Sequence, residues 1–173
     1  MAPRTALAGT VDTKMKFSDF HVGQVIEAGP HTIDELSIIE FANRFDPQPF
    51  HVDKSSADQG RWNGLIASGF HTCCIAMRLV ADSILRGSGS CGSPGLEYLK
   101  WPSPVRPGDA LHLRVHVLEV RRSRSRNYGV VRWQWYLLNQ HDQPVLDLIA
   151  TSLFEEAACA LSDVKPAGGA RSN

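Results

Sequence analysis

Cysteine is scarce in this chain. Cys73, Cys74, Cys91 and Cys159 are the only four, two of them adjacent and none in a Cys-x-x-Cys spacing, so the sequence offers neither a disulfide framework nor a zinc ligand set. A reducing cytoplasm is the compartment this implies. Charge of one sign is lacking as well: 18 basic residues balance 18 acidic ones for a formal net charge of zero, which leaves no global field to recruit nucleic acid or an anionic membrane. No apolar run is long enough to span a bilayer, because the most hydrophobic window, residues 65–85, is interrupted by His71, Arg78 and Asp82. Residues 1–15 hold small residues and Arg4 but no continuous apolar core, and they read as a disordered lead-in rather than a secretory signal. A phosphate-cradling glycine loop and a GxSxG elbow are both missing, so nucleotide hydrolysis and serine esterase chemistry have no support.

What is present is enough for one core. The 173 residues are 43% hydrophobic, with no internal repeat and no second composition regime, so one domain over residues 16–157 is expected, followed by a flexible tail over 158–173 that contains Pro166, Gly168 and Gly169. Thr32 and Glu35 form a capping-box pattern, and Ile38, Phe41, Ala42 and Phe45 recur at helical spacing, which predicts a helix over 33–45. A second helix, from about His71 to Arg86, is apolar on nearly all sides except for the stripe Arg78, Asp82, Arg86, so other elements are expected to surround it, with Gly87 placed to end it in a left-handed cap. Alternating segments at 96–101, 111–117, 131–137 and 145–154, together with one near 24–31, predict strands joined by short polar turns into an antiparallel meander. The fold class is α+β: one long central helix wrapped by a curved antiparallel sheet of five or six strands.

The most informative stretch runs from Phe45 to Thr72. Asp46 and His51 flank Pro47, Gln48, Pro49 and Phe50, and each proline fixes its own φ and pushes the residue before it out of the helical region, so this segment is expected to be a stiff, non-helical excursion that aims side chains. The run Gly64, Leu65, Ile66, Ala67, Ser68, Gly69 then leads into the apolar helix and is placed to present free amides at its positive end. Taken singly, Asp46 reads as a turn residue, His51 as a satisfied loop histidine, and the glycines as permits for a tight turn. Their joint spacing points to an acid–base pair beside an oxyanion site, since imidazole exchanges protons near neutral pH and a carboxylate can orient a water.

These residues resemble the hydratase motif of the MaoC-like acyl dehydratases and (R)-specific enoyl-CoA hydratases, which reads Asp, any, Asn, Pro, aliphatic, His, five residues, then Ala or Ser. Asp46, Pro49, His51 and Ala57 match it. Gln48 stands where Asn is usual, Phe50 replaces a smaller aliphatic residue, Arg44 and Phe45 precede Asp46 where Ser-Gly is common, and Met77 falls where some members carry Ser. The resemblance covers roughly residues 16–157 and implies the hotdog fold, with sheets paired edge to edge into a homodimer or higher homo-oligomer. It further implies that Asp46 and His51 share one water, that the amide of Gly69 receives the thioester oxygen, and that Ser68 and His71 belong to the oxyanion and substrate-binding set, His71 ranking below the pair because it either lines the pocket or caps a backbone group. The implied reaction interconverts a trans-2-enoyl thioester, on coenzyme A or acyl-carrier protein, with the (R)-3-hydroxyacyl thioester, with no metal and no cofactor besides the thioester itself.

Two rivals follow from the same fold: a hotdog acyl-CoA thioesterase, and a non-catalytic acyl-CoA binding protein. Elsewhere, His112 and His116 lie on a strand, where their interval places them about 13 Å apart and suits solvent better than a metal. The basic run Arg121, Arg122, Arg124, Arg126 reads either as a solvated hairpin turn or as a contact for the phosphates of coenzyme A.

Overall fold

Five strands form a single antiparallel sheet that curves around one helix in the computed structural model, which describes residues 15–124 and 127–155. Of the expected lead-in only Met15 is described, packed against the core, and the expected tail, like Cys159 and Arg126, lies outside the described residues. In chain order the elements are β1 (Val25–Thr32), α1 (Glu35–Phe45), α2 (Pro49–Val52), α3 (Lys54–Gln59), α4 (Gly69–Val80), β2 (Ser90–Lys100), β3 (Ala110–Arg122), β4 (Tyr128–Leu138) and β5 (Pro144–Glu155). A π-helical turn, Ala81–Leu85, prolongs α4. The sheet order is β1-β3-β4-β5-β2. Only β3, β4 and β5 therefore form the expected meander, while β2 crosses to the far edge beside β5 and β1 pairs with β3.

Period-two patterning places the core. Leu111, Leu113, Val115 and Val117 of β3, Val131, Trp133, Trp135 and Leu137 of β4, and Leu146, Leu148, Ala150 and Phe154 of β5 all point inward and are buried. They close on Ile75, Ala76 and Val80 of α4, and Phe20 joins Trp133 edge-on at 5.6 Å between ring centres. His112 faces solvent, and His116 is half-buried with its ring edge-on to Tyr136. Among the described residues no helix is long and apolar enough to cross a membrane.

Three expectations change. The cap of α1 is Asp34, whose carboxylate accepts from the Ser37 amide at 2.7 Å, and not Thr32. Ile33 is tied into extended pairing, donating to Asp109 O and accepting from Gly108 N, so the chain cannot turn into a helix before Asp34. The second change concerns α4, which begins at Gly69 and is not enclosed: Phe70, Cys74 and Met77 are exposed on one side. The glycine-rich first half of β2, Ser90 to Gly95, has no large side chains to cover them. The third is local to the candidate site: Pro49–Val52 and Lys54–Gln59 are helical.

Gly87 does end the long helix with a positive φ of 75°. The stripe Arg78–Asp82–Arg86 forms exposed ion pairs at i, i+4, of the kind that contribute little to stability. The aromatic cluster contributes far more. Trp133 is fully buried and its indole N–H has no partner. Trp133→Ala is expected to cost about 4 kcal/mol in chemical denaturation, and Trp133→Phe much less because it also removes the unpaired donor; equal losses for the two would show that packing there does not govern stability.

Candidate active site

Asp46 is placed by the end of α1. Pro47 excludes a helical Asp46, so α1 stops with the Asp46 amide donating to Ala42 O at 2.8 Å and its backbone turned away at φ −153°, ψ 66°. The next proline acts differently. Pro49 occupies the first position of α2, where its missing N–H costs nothing and its φ suits a helix, so His51 sits on a helical turn and not on the extended excursion expected from sequence. The His51 amide donates to Gln48 O, which completes that turn.

His51 is 4% exposed, and its Nδ1 lies 2.7 Å from the carbonyl oxygen of Ile66. A carbonyl only accepts, so Nδ1 carries the proton and Nε2 presents a lone pair. That Nε2 stands 3.4 Å from Asp46 Oδ2. The Ile66 carbonyl is itself fixed, because the Ile66 amide donates to Phe50 O and the neighbouring Ala67 amide to Val105 O. Half of the run expected to offer free amides is thus already paired, Gly64 with Ala57 O included. Gly69 differs: as the first residue of α4 its amide has no intrahelical acceptor, and it lines the cavity with Asp46 and His51.

Ser68 connects these parts. Fully buried, it donates its hydroxyl to Asp46 Oδ2 at 2.7 Å and accepts the Phe70 amide at 3.3 Å as the cap of α4. Its side chain stands behind the carboxylate instead of facing a ligand. Gln48, in the position where the motif usually has Asn, donates Nε2 to Asp46 Oδ1 at 2.8 Å. The Ser68 bond, followed by the Gln48 bond, holds the Asp46 carboxyl below the usual carboxylate range and outweighs the opposing effect of burial. Asp46 and His51 therefore both present acceptors to the same space.

His71 does not line this cavity. Its ring stacks flat on Phe41 at 4.4 Å, and its buried Nδ1 has no partner. Burial, with the nearby His31, pushes its pKa down, so His71 is a neutral, apolar-facing ring between α1 and α4. The basic run is also elsewhere: Arg121, Arg122 and Arg124 are absent from the lining, and Arg121 pairs with Glu119 at 2.9 Å. Among the described residues no group of three or more His, Cys, Asp or Glu side chains converges to hold a metal ion.

The cavity measures about 440 Å³, and aromatic residues supply much of its wall: Phe50, already singled out in the motif, and Trp62, Phe70 and Trp101, which sequence reasoning missed. Trp101 rests on Gly69 so closely that an added Cβ would come within 2.5 Å of the indole. A glycine there leaves its amide uncovered by a side chain and seats the indole. The available signal was Trp101 standing just before the proline turn, an aromatic at a strand end with no core position to fill.

A family model described as a MaoC like domain matches residues 18–134. Among solved structures, the chain is similar to the MaoC-like dehydratase from Rhodospirillum rubrum, with 37% identity and a TM-score of 0.77 over 83% of this chain and 99% of that one. It is also similar to the R-hydratase PhaJ1 from Pseudomonas aeruginosa, with 25% identity and a TM-score of 0.69 over 91% of this chain and 97% of that one. A Mycobacterium tuberculosis protein with a double hotdog fold shares the architecture, with 18% identity and a TM-score of 0.67 over 87% of this chain and 46% of that one. The sheet-wrapped helix is the hotdog fold, and the chain belongs to the MaoC-like dehydratase family.

Proposed function

We propose that the protein hydrates a trans-2-enoyl thioester, carried on coenzyme A or acyl-carrier protein, to the (R)-3-hydroxyacyl thioester, and catalyses the reverse dehydration. The carrying observation is the pair Asp46 Oδ2 and His51 Nε2, 3.4 Å apart, both acceptors, in one cavity with the amide of Gly69. One water can donate a hydrogen to each. As its oxygen bonds to C3, His51 Nε2 takes a proton and the C2–C3 π pair moves toward the thioester oxygen, which the Gly69 amide receives at the positive end of α4. The imidazolium so formed faces the Asp46 carboxylate and returns its proton to C2. The sum is one water added across the double bond. Only protons and hydroxide move, so the reaction needs no redox group or metal.

The R configuration rests on the likeness to R-hydratases. An assembly of two or more copies is part of this reading, because β2 is an open edge strand that a second copy can extend. Cys73, Cys74 and Cys91 are free thiols, as a cytoplasmic protein would have.

The direct test follows the ultraviolet absorbance of crotonyl-CoA. Wild type is expected to bleach the enoyl band without releasing thiol, and Asp46→Asn and His51→Ala, folded by circular dichroism, to lose at least about a hundredfold in kcat. Thiol release would instead indicate a thioesterase, and intact activity in either variant would refute the assigned pair. A second prediction concerns pH. A carboxyl with a depressed pKa stays ionised above its ordinary value of 3.8 and fails only as the pH falls through the lowered one. Ser68→Ala removes the largest cause of that depression, so the Asp46 carboxyl, followed by its carbon-13 chemical shift, should titrate at higher pH in the variant than in wild type. An unmoved titration would mean that Ser68 does not hold the charge on Asp46.

A further inference from the structure

A second cavity adjoins the first. About 460 Å³ in volume, it lies between the open side of α4, at Cys74 and Met77, and β2 at Gly92 and Leu96, with Trp135 and Leu148 of the sheet as its floor. No charged side chain lines it. It exists because β2 begins with serines and glycines, which leave the exposed stripe of α4 uncovered. Phe70 is the residue that lines both cavities, and its ring stands edge-on to Trp101 at 5.7 Å and 68°.

The two halves of this wall are held differently. Trp101 is seated: its ring rests directly on the Gly69 backbone, with no side chain between them. Phe70 is 63% exposed and meets Trp101 only at its edge. The wall stands one residue from the amide assigned to the thioester oxygen, so an acyl chain leaving the acid–base pair meets it within a few carbons.

We infer that the Phe70–Trp101 pair sets the acyl-chain length of this protein: it closes the catalytic cavity against short chains, and Phe70 is the leaf whose removal joins that cavity to the apolar groove along α4. This rests on the reading of the catalytic cavity as an acyl-thioester site. The groove suits a hydrocarbon tail because it offers apolar contact and no charge, and each methylene buried there would tighten binding about fourfold.

The test uses saturated acyl-CoAs, from butyryl to decanoyl, which cannot react, with dissociation constants measured by calorimetry. Wild-type affinity is expected to level off after the short chains. In Phe70→Ala it should keep rising by about fourfold per methylene, with an intermediate slope for Phe70→Leu, which keeps the start of α4 apolar and guards against a folding artefact. Adding Met77→Arg to Phe70→Ala puts a charge in the groove and should flatten the slope again. Identical slopes in wild type and Phe70→Ala would overturn the inference. So would a Met77→Arg variant that leaves the slope unchanged but alters subunit number by light scattering, because a second copy would then cover the groove. Crotonyl-CoA turnover measured in parallel separates the two readings. The slope pattern without turnover would sink the hydratase reading and keep the wall, turnover with no change of slope would sink the wall alone, and no measurable binding of any chain would sink both.

Discussion

One hydrogen bond ties the candidate site together, that from the Ser68 hydroxyl to Asp46 Oδ2. Asp46 ends α1 and Ser68 caps α4, so this contact couples the carboxylate to the helix whose first amide belongs to Gly69. The same hydroxyl accepts the Phe70 amide, satisfying one of the orphan donors of α4. A charge-assisted bond to a buried hydroxyl is worth more than a neutral one, and it also keeps the Asp46 carboxylate ionised beside His51. On the far side, the Ile66 carbonyl performs the matching task for the imidazole by holding the proton on Nδ1. Both reactive atoms are thus oriented by groups that do not themselves face a ligand.

The second governing feature is the incomplete cover of α4. Sheet strands bury Ile75, Ala76 and Val80, whereas Phe70, Cys74 and Met77 meet only the thin start of β2. An apolar surface left open beside the candidate site is costly in water unless something covers or fills it. That cost is the physical reason to look for a function along this face of the helix.

Much of the architecture could be read from periodicity, since Leu111 to Val117 and Val131 to Leu137 alternate so cleanly that strand, face and core membership follow together. Asp46, His51 and Gly69 stood out for a different reason: prolines restrict the backbone locally and glycines free it, and both effects can be read without knowing what lies across the fold. The reading failed for two reasons. Asp34 displaced Thr32 as the cap of α1 because Ile33 is bonded to the loop before β3, a distant partner, whereas Pro49 began a helix for a local reason, since a proline costs nothing at the first helical position. Trp62, which lines the cavity, carried no local signal of that role, and Trp101 offered only its place at a strand end before the proline turn.

Local chemistry in the chain therefore determined most of the helices and strands, the inward faces of the sheet, and the short segment that bears Asp46 and His51, because each depends on neighbours within a few residues. The order of the strands, the tautomer of His51, the task of Ser68 and the aromatic wall over Gly69 were settled by folding alone. Each joins residues far apart in sequence, and no local pattern encodes which distant carbonyl, hydroxyl or ring will arrive within bonding distance.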